Sequence, residues 1–336
     1  MSRKKPIIQR LLIPILLITC ALIVYCTHEH PPFDEYQIVG FTPIDTVTTG
    51  KLISYGSTLY ALYDPSYTYT WAYLRTYDVS NPYTPTLVSS SNIDNLDPYH
   101  YLTHADTFVF FRDYPSPYPQ NICVFNLNTR QLVSIETDFH AYSLACKGNH
   151  VFISSSDGLK IWDISALPNY TEVFTDTFSR WNGRLALLDT IMLEVYDTWY
   201  GNAFAFWDIT NPEQPQAIAQ GDFPLQPYFI EMTHDFVFAF NSGFIYRYSY
   251  DFSDSLSLED IYHLDYYYDD YMVSDTLMYL LRYEQIKIIK ANDFSIEWAI
   301  RRYRNNIAFL CLELYEDKIY TLTRNKGIIV YERREP

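Results

Sequence analysis

The sequence predicts an all-β protein built from a repeated four-stranded unit, and three observations support this. The chain has 336 residues, of which 48% are hydrophobic and 19% charged, so it can bury a large core. It holds 33 Tyr and 21 Phe, and aromatic side chains favour strands because they pack well on a pleated surface. Apolar runs recur along the chain about every 42 residues. That spacing is typical of the blades of a β-propeller.

The repeat is defined by the residue that ends each apolar run. The intervals between these residues are 48, 37, 45, 43, 42 and 39, and the residues are Asp78, Asn126, Asp163, Asp208, Asp251, Asp293 and Glu332. The third unit divides into the runs "AYSLACKG", "NHVFISSSD", "GLKIWDIS" and "TEVFTDTF", which are bounded by turn signals. Each unit is therefore predicted to hold four strands, named a to d in chain order. Residues 255–264, "SLSLEDIYHL", also permit a short helix.

Two units contain a closely similar stretch of sequence at the end of strand c. The stretches are "LRTYDVSNPYTPTLV" at residues 74–88 and "AFWDITNPEQPQAIA" at residues 205–219. Asp, Ser, Thr and Asn side chains can accept hydrogen bonds from backbone amides that a turn sets free. Proline cannot donate to a strand ladder, so it ends strand c. The pattern predicts a corner that redirects the chain from strand c into strand d.

The two ends of the domain are predicted to share one blade. The seventh apolar run, "GIIVYERREP", is the last of the chain, so strand d of that unit must come from elsewhere. Residues 36–45, "YQIVGFTPID", resemble the d strand "PTLVSSSNID" at residues 85–94. Pairing them with the last blade would remove two open sheet edges. We therefore predict a seven-bladed β-propeller over residues 36–335, closed by an N-terminal strand that completes the last blade.

The N-terminus is predicted to be an export signal or membrane anchor over residues 1–26, followed by a linker over residues 27–35. A basic segment, "MSRKKPIIQR", precedes the 16-residue apolar run "LLIPILLITCALIVYC". Its length leaves cleavage and an uncleaved anchor both open. Cys20 and Cys26 are candidates for lipidation as in a bacterial lipoprotein. Because the basic residues come first, the domain should face away from the cytoplasm, anchored on the periplasmic or cell-surface side.

The repeat resembles the LVIVD-repeat family of bacterial cell-surface β-propellers, whose units carry an L-x-I-h-D-h-S-N-P-x-x-P core. The matching stretches are "LRTYDVSNPYTP", "LKIWDIS", "AFWDITNPEQP" and "HAYSLACKGNHVFIS". The resemblance spans residues 36–335 and is weaker from Asp251 onward, where the Asn-Pro corner is absent. It implies the propeller fold and an exported location, and it transfers no catalytic motif.

Charge and missing motifs narrow the function. Four of the 24 basic residues and none of the 40 acidic residues precede Thr27, so the remainder carries a net charge of −20. Such a surface repels nucleic acid. The sequence contains no P-loop, no H-E-x-x-H, no paired C-x-x-C and no G-x-S-x-G elbow, which disfavours common hydrolases and nucleotide enzymes. No cofactor is predicted.

Two stretches contain acidic or histidine side chains that could bind a metal ion. "HEH" at residues 28–30 lies in the linker, and Asp265, Asp269 and Asp270 lack the D-x-D-x-D-G spacing of a calcium loop. Solvated surface is the preferred interpretation of both, and no metal is predicted. Cys123, Cys146 and Cys311 lie in apolar runs and are predicted to be buried thiols, with one disulfide as the alternative.

The candidate ligand site is the mouth of the central channel, where the connections from strand d to the next strand a converge. Aromatic, histidine and arginine side chains there could hold a glycan or a peptide. The predicted function is a non-catalytic, membrane-tethered scaffold that binds a protein or glycan of the cell envelope. The alternative is an exported enzyme that uses His100 or His140 as base and Arg184 as clamp. The candidate residues are Tyr99, His100, His140, Tyr142, Trp181, Arg184, Tyr228, Tyr267 and Arg302.

Overall fold

Every regular element in the described part of the computed structural model is a β-strand. The structure describes residues 36–44, 47–65, 71–94, 101–104, 107–112, 120–126, 129–178, 180–252, 256–264, 268, 270–274, 276–282, 285–301, 308–324 and 326–333. These ranges contain no helix that is long and apolar enough to span a membrane. The alternative helix at residues 255–264 is wrong, because residues Leu256–His263 form a strand.

The strands form four-stranded antiparallel sheets, which we number in chain order. Sheet I holds β2 (Thr49–Tyr55), β3 (Thr58–Asp64), β4 (Trp71–Asp78) and β5 (Thr86–Asp94). Sheet II holds β6 (Tyr101–His104), β7 (Thr107–Arg112), β8 (Gln120–Asn126) and β9 (Gln131–Thr137). Sheet III holds β10 (Ala141–Lys147), β11 (His150–Ser155), β12 (Gly158–Asp163) and β13 (Thr171–Thr175). Sheet IV holds β14 (Trp181–Leu188), β15 (Ile191–Thr198), β16 (Gly201–Asp208) and β17 (Gln216–Phe223).

The remaining strands complete the arrangement. Sheet V holds β18 (Phe229–Met232), β19 (Phe236–Asn241), β20 (Phe244–Tyr250) and β21 (Leu256–His263). Sheet VI holds β22 (Asp270–Val273), β23 (Leu277–Arg282), β24 (Gln285–Lys290) and β25 (Ile296–Arg301). Sheet VII holds β26 (Phe309–Tyr315), β27 (Lys318–Thr323), β28 (Gly327–Arg333) and, beside β28, the N-terminal β1 (Tyr36–Pro43).

The hydrophobic core lies between consecutive sheets. Leu74 of sheet I packs with Phe125 of sheet II, and Val124 of sheet II packs with Val151 of sheet III. Leu322 of sheet VII packs in the same way in one cluster with Leu52 of sheet I. Strands a of neighbouring sheets contact one another and so form the inner layer. The all-β β-propeller architecture predicted from the 42-residue spacing is confirmed.

The predicted corner is confirmed by its hydrogen bonds. The backbone N–H of Ser80 donates to Asp78 Oδ1 at 2.8 Å, and that of Thr210 donates to Asp208 Oδ1 at 2.8 Å. These bonds hold the pKa of both aspartates below the ordinary value, since they stabilise the ionised form. The backbone N–H of Tyr83 donates to Asn81 Oδ1 at 3.1 Å. The Asp and Asn side chains therefore shape the turn that leads into strand d.

Two further sequence predictions can be compared with the strands. Strands c of sheets I to IV end at the residues that define the repeat. In sheet VI strand c ends at Lys290, three residues before Asp293, because Ala291 and Asn292 already belong to a turn that places Phe294 at a φ of 54°. Cys123, Cys146 and Cys311 are buried, and no two of them are joined in a disulfide, so the disulfide alternative does not hold.

Candidate functional site

One face of the propeller carries both the d-to-a connections and the b–c turns, and we call it the rim face. The backbone N–H of Ser156, in the b–c turn of sheet III, donates to the carbonyl of His140 at 2.8 Å. In sheet V, the Tyr228 hydroxyl lies 3.1 Å from the hydroxyl oxygen of Ser242 in the b–c turn. In sheets III and V the connection is thereby fixed to the turn beside it.

Five of the predicted channel-mouth residues are described, and the structure brings them together in pairs. The rings of His140 and Tyr142 meet edge to face with centroids 4.8 Å apart. Arg184 Nε donates to the carbonyl oxygen of Tyr228 at 2.8 Å, which ties sheet IV to sheet V. Burial lowers the pKa of Arg184. Trp181, the fifth residue, packs against a side chain that the sequence analysis did not select.

That side chain is Trp199, at the tip of the b–c turn of sheet IV. Its ring centroid lies 4.5 Å from that of Trp181, yet Trp199 is 84% exposed, and the adjacent Tyr200 is fully exposed. The Thr198 hydroxyl accepts from Tyr200 N–H at 3.1 Å and donates to the Gly201 carbonyl at 2.8 Å. The sequence signal is "TWYGN", which places two large aromatic residues in a turn. The predicted channel mouth includes only the d-to-a connections, so it leaves this b–c turn out.

The aromatic side chains of sheets IV and V are linked by polar contacts. Asp197 Oδ2 accepts from Asn182 Nδ2 at 2.8 Å and from Gln226 Nε2 at 2.9 Å. Gln226 lies in the connection that leads to Tyr228, which is 59% exposed. We call Trp181, Trp199, Tyr200 and Tyr228 the aromatic rim. Trp199, Tyr200 and Tyr228 are exposed, Trp181 is half-buried, and Asp197 joins sheet IV to the connection that precedes Tyr228.

The other predicted sites lie outside the described residues. These are the channel-mouth candidates Tyr99, His100, Tyr267 and Arg302, the lipidation candidates Cys20 and Cys26, the linker residues 28–30, and Asp265 and Asp269. Asp270 is described: it forms an ion pair with Lys51 and accepts from the Leu312 N–H at 3.2 Å. Among the described residues, no group of three His, Cys, Asp or Glu side chains is placed to hold a metal ion.

The inner strands carry two glutamates whose protonation depends on their surroundings. Glu313 accepts from both the N–H and the hydroxyl of Ser54, at 3.1 and 2.6 Å. Burial raises its pKa to about 7, while these hydrogen bonds act in the opposite direction. Burial also raises the pKa of Glu231, on β18, to about 7. Both side chains thus change charge near neutral pH.

We expect the protein to melt at a higher temperature at pH 5.5 than at pH 8. Between the ordinary glutamate value of 4.5 and about 7, the folded chain holds protons that the unfolded chain has released, so stability falls as pH rises through this window. Scanning fluorimetry across this range measures the slope. Glu313→Gln should flatten it, whereas Glu213→Gln, at an exposed corner, should not. A melting temperature that rises with pH, or a slope that Glu313→Gln leaves unchanged, would contradict the prediction.

The antiparallel sheets pack face to face, and the first strand of each sheet, strand a, lies in the inner layer. This arrangement defines the class of protein, a β-propeller. The family model of the LVIVD repeat matches residues 140–176, which span sheet III. The chain therefore carries an LVIVD repeat.

Comparison with solved structures supports the fold alone. The crystal structure of the computationally designed Ika8 protein, crystal packing No.1 in P63, is similar, with 13% sequence identity and a TM-score of 0.54. The match covers 88% of this chain and 99% of that chain. No curated protein matches the chain.

Proposed function

We propose that this protein is an exported, membrane-tethered, non-catalytic propeller scaffold that binds a protein or glycan of the cell envelope. The observation that carries the proposal is the aromatic rim. Trp and Tyr supply large, rigid contact area at little entropic cost and are enriched where binding energy concentrates. An exposed Trp199 and Tyr200 side by side on a braced turn are therefore best explained as a contact surface.

Export and tethering rest on residues 1–26. The basic segment followed by the 16-residue apolar run supports passage across a membrane, with lipidation at Cys20 or Cys26 and an uncleaved anchor as the two modes of attachment. The propeller then faces the periplasm or the cell surface. Its net charge of −20 beyond the apolar run favours neutral or cationic partners over nucleic acid.

The scaffold is further proposed to be one closed ring of seven blades. The pairing of β1 with β28, from Tyr36 opposite Arg333 to Pro43 opposite Gly327, supports closure. β1 also contacts sheet I, because the Thr42 hydroxyl donates to the Pro85 carbonyl at 2.6 Å. A Cβ on Gly40 would lie 2.6 Å from the Pro82 carbonyl, so the strand approaches the Asn-Pro corner closely. The N-terminal strand β1 therefore contacts the Asn-Pro corner of sheet I.

An enzyme acting at the channel mouth is the alternative function. It requires a base and a clamp that converge on one substrate position. Arg184 instead donates to the carbonyls of Tyr228 and Gly183, at 2.8 and 2.9 Å. The guanidinium is therefore engaged in bracing the rim face, which favours the scaffold.

The combined variant Trp199→Ala, Tyr200→Ala and Tyr228→Ala should recover at least tenfold less partner from envelope extract than the unmodified protein does. The reason is that aromatic side chains at binding hot spots contribute about 2 kcal/mol or more each. The three side chains are largely exposed, so the melting temperature should hold. Tyr83→Ala is the matched control: this tyrosine is 51% exposed on the opposite face, between strands c and d.

Two results would displace the proposal. Equal recovery of the same partners by the triple variant and the Tyr83→Ala control would place the contact surface elsewhere. Turnover of a substrate by the purified protein, lost on substitution of His100 or His140, would make the enzyme the correct function.

A further inference from the structure

A crevice of about 210 Å³ opens between sheets III and IV. Its wall on sheet III is the connection after β13, which begins at Asp176. Its wall on sheet IV is the outer half of the sheet, from Tyr196 and Trp207 to Gln220. Drug-sized ligands occupy pockets of roughly 300–1,000 Å³. This crevice has room for a single ring.

Arg180 forms the floor of the crevice and is held there by two carboxylates. It is 3% exposed, and its Nη1 donates to Glu194 Oε2 at 2.6 Å while its Nη2 is bonded to Asp176. The guanidinium carbon lies 4.7 Å from the centre of the Tyr196 ring and 5.7 Å from that of Trp207. The guanidinium is therefore fixed in position before any ligand arrives.

Two buried donors on this crevice have no acceptor. Arg180 Nε and Trp207 Nε1 are both inaccessible to solvent and make no hydrogen bond, although both residues line the crevice and are more than nine-tenths buried. Leaving a buried donor unsatisfied costs about 1–3 kcal/mol. Such groups are uncommon in native structures and indicate a missing partner. A ligand oxygen seated in the crevice would supply the missing acceptor.

The charges of the crevice exclude an anion as that partner. The Arg180 guanidinium is paired with both Asp176 and Glu194, and the Ser154 hydroxyl donates to Glu194 at 2.7 Å. A carboxylate or phosphate would meet no net positive charge.

The remaining wall chemistry fits a hydroxylated ring. Tyr196 and Trp207 offer aromatic surface, and the exposed Gln220 offers an amide that can both donate and accept. A hydroxyl group can accept from Arg180 Nε or Trp207 Nε1 and donate to Asp176 at the same time. A sugar presents several hydroxyls around apolar C–H faces.

We propose that the crevice between sheets III and IV binds one neutral saccharide residue, with Arg180 Nε and Trp207 Nε1 as donors and Asp176 and Gln220 as further hydrogen-bond partners. The site shares no residue with the aromatic rim, although Arg180 directly precedes Trp181 in the chain. It gives the protein a glycan-binding function that does not depend on a contact at the rim.

Calorimetric titration of the full chain tests the proposal, in a zwitterionic detergent that carries no sugar headgroup. The probes are glucose, galactose and N-acetylglucosamine, with glucuronate as the anionic comparison. We expect at least one neutral sugar to bind with a Kd on the order of 1 mM, a typical weak affinity, and glucuronate to bind at least tenfold more weakly. The triple rim variant should bind the same sugar unchanged, which separates this site from the proposed function.

Three variants locate the site on the crevice. Ala217→Phe places a ring in the crevice from an exposed position and should abolish binding, and Gln220→Ala should weaken it roughly three- to tenfold by loss of one hydrogen bond. Gln216→Ala is the matched control, an exposed glutamine on the same strand opposite Asp208 and outside the crevice, and should bind normally. Gln220→Ala also keeps the test valid if Ala217→Phe fails to fold.

Three results would overturn the proposal. The first is no binding of any neutral sugar probe. The second is affinity that survives in both the Ala217→Phe and the Gln220→Ala variant. The third is tighter binding of glucuronate than of the neutral sugars, which would mean that an anion site is present.

Discussion

Deleting residues 1–46 will lower the melting temperature or cause aggregation, whereas deleting residues 1–26 will leave a stable, soluble domain. The longer deletion removes β1 and so exposes the whole edge of β28, and unpaired sheet edges recruit other chains. It also removes Ile44, which is 3% exposed and packs among the core residues between sheets VII and I. Truncation of one such side chain costs about 2–5 kcal/mol.

The two deletions form a matched pair because neither retains the apolar N-terminal run. Scanning fluorimetry and size-exclusion chromatography of both report stability and aggregation. Gly40→Ala gives an independent test, since its Cβ would meet the Pro82 and Tyr83 carbonyls at 2.6 and 3.0 Å. Equal melting temperatures for the two deletions, together with an unaffected Gly40→Ala variant, would mean that closure through β1 contributes nothing.

Local sequence signals were sufficient for the fold because a blade is a local unit. The Asp and Asn of each corner bind backbone amides two residues further on, as at Asp78 and Asp208, so the corner can be recognised from a few adjacent residues. In sheet VI strand c ends at Lys290 instead of at Asp293, although the backbone N–H of Ser295 still donates to Asp293 Oδ1 at 2.8 Å.

The candidate sites were harder to predict because they depend on contacts between residues that are well separated in the sequence. Trp199 and Tyr200 can be recognised in the sequence as part of a turn, but the contact of Trp199 with Trp181 follows from how β14 and β15 align. Glu194 offered a signal that was missed. It lies between Leu193 and Val195 in the buried part of β15, and a carboxylate at such a position needs a partner. That the partner is Arg180, fourteen residues away in a loop, cannot be read from periodicity.

This partnership predicts a large loss of stability for Glu194→Ala. The variant leaves the Arg180 guanidinium buried with only the partly exposed Asp176 to balance it. Removing one partner of a buried ion pair costs about 3–5 kcal/mol, because the remaining charge stays out of water. Urea denaturation of the full chain in detergent measures this loss. Glu172→Ala is the control: Glu172 is 43% exposed and pairs with Lys160 at 3.5 Å, so its loss should cost less than about 1 kcal/mol.

The double variant Arg180→Met with Glu194→Ala should be more stable than Glu194→Ala alone, since it leaves no buried cation while the methionine fills part of the space beside Tyr196. That recovery is the feature that distinguishes an uncompensated charge from a simple cavity, which a second truncation would enlarge. If the double variant is the less stable of the two, the loss in Glu194→Ala comes from packing. If Glu194→Ala costs no more than Glu172→Ala, water reaches Arg180 and the crevice floor is not fixed as described.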